Sequence, residues 1–301
     1  MKTVPLAALA AALVLGLARP APAETARLRY LAAAYGDEKG VGLALPEGVA
    51  CDGKGQVLVG DTGNDRLVRF TYQDKTVTPG SEIRIPQLSA PTVVHLNSKG
   101  DIYALDGKQR RIVHLGPQGE FKEVLSLQGA PPPATIVPKS FKIDAADNLY
   151  VLDVFSARVL VLNAEGRFQR ALALPSDAGF VSDLAIDFTG TVLLLDSTRR
   201  RIYAAAKDAT TFAPVGGDLT GSLNTAPTYI TTSRGITFVV EGSGGNIVSF
   251  GRDGTFLARQ LASGWTEGSL RHPSQICIND RDEVFVADRD NSRIQVFGLT
   301  R

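Results

Sequence analysis

The sequence predicts an all-β fold, a six-bladed β-propeller of four-stranded blades, on three observations. An acidic residue at the end of one short apolar run is followed five residues later by a basic or amide residue at the start of the next. These centres are Asp61/Arg66, Asp106/Arg111, Asp153/Arg158, Asp196/Arg201, Glu241/Asn246 and Asp288/Arg293. Their spacing is 45, 47, 43, 45 and 47 residues, a period that belongs to solenoids and propellers. Each unit holds about four short alternating segments divided by turn residues, the content of one propeller blade.

The last unit shows the plan. In Glu283–Phe297, Val284 and Val286 fall on one side of a strand and Phe285 and Ala287 on the other. A polar turn follows, where Asn291 suits left-handed backbone angles, and a second strand opens at Arg293. A tight hairpin sets Asp288 opposite Arg293, so the pair is predicted to clamp the turn. In chain order, Arg27–Leu31 alternates as a strand before the first unit, and 36–40 is a loop. The first strands of the units start near Pro46, Pro91, Pro138, Val181, Pro227 and Pro273. Turns such as Asn97–Gly100 and Thr232–Gly235 lead to the strand that ends at the acidic centre. Further turns, such as 116–119 and 251–254, lead to fourth strands at Phe121, Phe168 and Phe256. The sixth unit lacks a fourth strand, and the N-terminal strand is predicted to complete it and remove an open sheet edge.

With 32 basic and 31 acidic residues, the net charge of +1 advertises no nucleic-acid groove. Lys2, the apolar run Val4–Leu17 and Ala21-Pro22-Ala23 read as an export leader over 1–23, cut before Glu24, with the propeller occupying 24–301. The expected location is therefore periplasmic or extracellular, with no membrane span after cleavage. Cys51 and Cys277 sit one position apart in the equivalent strands of the first and last units, hence on opposite sheet faces. Neighbouring blades meet front to back, so the two either bridge the closure in an oxidising compartment or both turn away from it.

The residues Gly264-Trp265-Thr266-Glu267-Gly268, His272-Pro273, Val284–Asp288, Asn291 and Arg293–Phe297 resemble the NHL repeat, and Pro46–Ala50, Gly60-Asp61, Asn64 and Arg66-Leu67 repeat the pattern. The resemblance spans the mature chain, strongly at both ends and loosely in the middle. It implies a propeller used either as an interaction module or, in some members, as an enzyme working in the central channel; fold alone does not choose.

Several candidate sites compete with plain structural roles. Gluconolactonase-like propellers hold a divalent metal with oxygen ligands that include a Glu before a Gly, and Glu47 sits in a matching place. The equivalent positions elsewhere are Thr92, Lys139, Ser182, Thr228 and Ser274, a poor donor set, and Asp183 would contribute only through a register shift. A zinc lyase of the peptide-amidating type needs about three convergent ligands, whereas His95, His114 and His272 fall at unrelated repeat positions. The repeated Asp–Arg pairs read as structural punctuation. Arg110, Arg199 and Arg200, extra to the pattern, are candidate rim residues for an anionic glycan or a partner. The proline-rich 125–136 segment is either a plain connection or a cover for one channel mouth. These readings favour an exported, monomeric, non-catalytic module that binds a protein, peptide or glycan; no cofactor is predicted. The alternative is a metal-dependent, gluconolactonase-like hydrolase or lyase built on Glu47 and the channel.

Overall fold

A computed structural model describes residues 26–126, 129–133 and 135–300. The leader reading over 1–23 lies outside these residues. The described residues form six four-stranded antiparallel sheets.

The first blade comprises β2 (Gly48–Cys51), β3 (Gln56–Asp61), β4 (Arg66–Gln73) and β5 (Thr76–Ile83). The second comprises β6 (Pro91–Leu96), β7 (Ile102–Asp106), β8 (Arg111–Leu115) and β9 (Phe121–Val124). The third comprises β10 (Pro138–Ile143), β11 (Leu149–Asp153), β12 (Arg158–Leu162) and β13 (Phe168–Ala173). The fourth comprises β14 (Val181–Ile186), β15 (Val192–Asp196), β16 (Arg201–Ala205) and the short β17 (Ala213–Val215). The fifth comprises β18 (Tyr229–Ser233), β19 (Ile236–Glu241), β20 (Asn246–Phe250) and β21 (Phe256–Gln260). The sixth comprises β22 (Pro273–Ile278), β23 (Glu283–Asp288), β24 (Arg293–Thr300) and, as its outer strand, β1 (Arg27–Ala34). The register of that last pairing runs from Arg27 opposite Thr300 to Ala34 opposite Ile294. The innermost strands touch in ring order, β2 to β6, β10, β14, β18, β22 and back to β2.

Both faces of each blade are buried, which is why the middle strands are apolar on both sides. Val284 and Val286 join Phe238 and Val240 in the core between the fifth and sixth blades. Phe285 and Ala287 join Val57, Val59 and Phe70 in the core between the sixth and first. Four further cores fill the other blade junctions. Cys51 and Cys277 are joined across the junction of the first and sixth blades, with Cα atoms 5.9 Å apart.

In each blade the acidic centre accepts a backbone N–H from the loop that enters that blade. Asp61 accepts from Ala44, Asp106 from Ser89, Asp153 from Val137, Asp196 from Gly179, Glu241 from Thr225 and Asp288 from Arg271. The arginine is more variable. Arg66, Arg158 and Arg293 donate from Nε to their acids at 2.7, 3.1 and 2.7 Å, and their outer nitrogens take carbonyls of the same incoming loop. This corrects the expectation of a uniform pair. Arg111 stands 3.9 Å from Asp106, and Arg201 lies 3.8 Å from Asp177 instead of pairing with Asp196.

The reason is which oxygen meets the loop. In the first, third and sixth blades Oδ1 takes the loop N–H and Oδ2 is left for arginine. In the second and fourth, Oδ2 takes Ser89 or Gly179, while Oδ1 takes two turn N–H groups, Lys108 and Gln109 or Thr198 and Arg199. Each of these carboxylates then holds three backbone donors, and Arg111 and Arg201 turn to the Gln87 carbonyl and to Asp177. A second correction concerns the turn. Asn291 belongs to a single 3₁₀ turn and donates to Asp288 at 2.8 Å; the left-handed residue is Ser292, with φ 50°. Three residues of 3₁₀ turn postpone the chain reversal by one position.

Candidate functional site

The six innermost strands enter the ring at one face, which also carries the hairpins. There the channel opens into a cavity of about 490 Å³, within the range of small-molecule sites. Its lining includes Glu47, Thr92, Lys139, Ser182, Thr228 and Ser274, one from each blade, and also Arg110, Phe180 and Asp183. The repeat thus delivers one residue per blade to the same ring level, and the departures from symmetry decide the chemistry.

Glu47 does not stand free. Arg289 donates from Nε to its carboxylate at 3.1 Å while also pairing with Asp290. The remaining ring residues are hydroxyls and a lysine, and among the described residues no group of three or more His, Cys, Asp or Glu converges. A hard divalent cation needs several oxygen ligands with net negative charge. Glu47 tied to Arg289 and Lys139 on the same ring do not fit one. The histidines do not meet: His114 faces Asp101, His272 faces Asp290, and His95 lines the far side of the channel.

Beneath the mouth lies a buried polar floor drawn from four blades. Asp183 accepts from Ser140 at 2.5 Å, from Lys142 at 3.3 Å and from the Ile230 N–H at 2.9 Å. β14 carries a bulge between Val181 and Asp183, the register shift the sequence left open, and Asp183 lines the channel as Tyr229 does from the unbulged β18. Lys142 also stands 3.8 Å from the centroid of the Tyr229 ring, a cation–π contact. Gln275 accepts from the N–H groups of Val49 and Val94 and donates to the Val94 carbonyl. Innermost strands have one unpaired edge facing the channel; Asp183 and Gln275 satisfy those edge groups where water is excluded.

Electrostatics follow from this packing. Burial works against the Lys142 charge, but Asp183 and Tyr229 outweigh it and hold the ammonium above its usual pKa. Burial, and then the nearby Lys142 charge, push His95 well below its usual value, so it is neutral. Burial raises the Tyr229 phenol. The floor divides the mouth from a smaller cavity of about 160 Å³ on the far side, lined by His95, Lys142, Tyr229 and Gln275 among others.

Of the rim candidates, Arg110 is exposed and lines the mouth. Arg199 is exposed but outside it, and Arg200 is half-buried, donating to the Leu223 carbonyl. The sequence reading missed Ser140, Lys142, Tyr229 and Gln275. Their signal is faint: a lone polar or aromatic residue in a strand that otherwise serves an apolar core. Arg158 holds the proline-rich segment through the carbonyls of Pro131, Pro132 and Pro133, so that it walls a groove of about 400 Å³ beside the mouth.

Comparison with known proteins supports the architecture. Residues 270–297 match the NHL repeat. No curated protein sequence matches the chain. Among solved structures, the PQQ-bound aldose sugar dehydrogenase from Streptomyces coelicolor superposes with a TM-score of 0.66 at 14% identity, covering 93% of this chain and 100% of its own. A gluconolactonase from Xanthomonas campestris gives 0.63 at 16%, over 95% and 98%. A virginiamycin B lyase from Staphylococcus aureus gives 0.62 at 14%, over 91% and 100%. At such identities the likeness speaks to fold alone. The chain is therefore a six-bladed β-propeller that carries an NHL repeat over residues 270–297.

Proposed function

We propose that this propeller is an exported, non-catalytic recognition module that takes a small polar ligand, or the end of a larger one, at the mouth of its channel. The observation that carries the reading is the state of the acidic groups there. Glu47 is engaged by Arg289, Asp106 by backbone N–H groups, and Asp183 by Lys142, Ser140 and Ile230. Each carboxylate that would serve as base, nucleophile or metal ligand is held in structural bonds, whereas the cavity keeps a built shape and a polar wall. The apolar run Val4–Leu17 supports export.

The test is a glycan and peptide array probed with the parent chain, with a Ser182→Trp variant that fills the mouth, and with an Arg199→Ser/Arg200→Ser rim variant. Binding abolished by the mouth substitution and kept by the rim pair supports the reading. Turnover of lactones or esters by the parent, lost on Glu47→Gln, overturns it in favour of a channel hydrolase.

A further inference from the structure

The mouth is electrically one-sided. Its three carboxylates are engaged as described, whereas among the described residues neither Arg110 nor Lys139 has an ion pair, and both are exposed on neighbouring blades. Concave walls concentrate such a field, so the mouth attracts an anion. Phe180, next round the ring, is 49% exposed, with the Lys139 ammonium 6.0 Å from its ring centroid. An apolar ring face is therefore open beside the two cations.

The opposite wall has different chemistry. Ser274 donates to the Glu47 carbonyl at 2.6 Å, while Ser182 and Thr228 lean on the carbonyls of Leu195 and Val240 at 3.4 Å and Ser182 also accepts from the Ser197 hydroxyl at 2.6 Å. Their protons are directed into the protein, which leaves at least one lone pair on each oxygen for the cavity. That wall accepts hydrogen bonds. A ligand matching both walls carries one anionic group at one end, hydroxyl donors at the other and a weakly polar face between.

Resting on the recognition role above, we propose that the mouth binds the terminal uronate of an acidic oligosaccharide. Its carboxylate lies between Lys139 and Arg110, one sugar face packs on Phe180, and its hydroxyls donate to Ser182, Thr228 and Ser274. A peptide C-terminus shares the carboxylate but lacks the array of hydroxyl donors that the acceptor wall matches.

Isothermal titration of the full chain with digalacturonate, neutral digalactose and a triglycine peptide with a free carboxylate tests this. The expected order is digalacturonate tightest, at least about tenfold ahead of the other two, and weakened by added salt. Arg110→Ser/Lys139→Ser should lose about tenfold or more, and Phe180→Ala several-fold, at unchanged melting temperature. Equal binding of the neutral sugar, stronger binding of the peptide, no binding of digalacturonate, or an unaffected double variant overturns the proposal. The two levels fail separately: array binding that depends on the mouth but not on uronate removes only the ligand assignment, and no mouth-dependent binding of any kind removes the recognition role too.

Discussion

Arg259 donates to Glu241 from Nε at 3.2 Å, and so fills the place left by the asparagine at 246, where the repeat elsewhere has arginine. It comes from the outer strand β21 and not from the hairpin, yet its second nitrogen takes the Ser222 carbonyl of the incoming loop as the hairpin arginines do. The clamp of the fifth blade is thus conserved in chemistry and relocated in sequence.

Arg259→Ala should therefore destabilise the protein by about 2 kcal/mol, because a buried carboxylate loses its charged donor. Asn246→Ala, which removes only a bond to the Gly244 carbonyl, should cost less. Denaturant unfolding of both variants checks the order; equal effects would remove Arg259 from the clamp.

Lys142→Met should be among the most destabilising single changes in the channel. With side-chain exposures of 7% and 2%, Lys142 and Asp183 are a buried pair, and stranding one charge costs about 3–5 kcal/mol. Adding Asp183→Asn should recover part of the loss. No recovery in the double variant would mean that the lysine acts by packing on Tyr229 and not by charge.

His95 gives a pH signature. Its folded pKa is depressed, so the unfolded chain binds the proton first, and stability falls as pH drops below about 6.5. Below that point the slope approaches about 1.4 kcal/mol per unit for this one group until the depressed folded value is reached. A His95→Leu variant should show a flatter profile over the same window in chemical unfolding; an identical slope would refute the assignment.

The ring is closed twice, by the Cys51–Cys277 disulfide and by β1 on β24. Reduction of the disulfide should cost about 2–5 kcal/mol. Its loss and deletion of residues 26–34 should be more than additive, since each alone leaves the other closure in place. Melting of the two single variants and the combination by circular dichroism decides it.

The frame was legible because repetition multiplies a weak signal. Each Asp–Arg spacing and each apolar alternation is ambiguous alone, and six in register are not. Val284 and Phe285 could even be assigned to opposite junctions from their order. What escaped notice depends on ring geometry. Ser140, Tyr229 and Gln275 lie on three blades at separations set by the repeat, and they meet only because the sheets are arranged in a circle. The bulge in β14 and the choice of oxygen that frees or displaces an arginine are decided by a few degrees of backbone. Neither alternation nor spacing records them.

The pairing of Arg27 with Thr300 has a consequence for how the molecule is made. The strand synthesised first is the one that must wait longest for its neighbour. Until β24 has been made the sixth blade is incomplete, so the blades already assembled remain an open arc with unsatisfied ends. Closure of the ring waits for β24, which must be free to turn back onto β1.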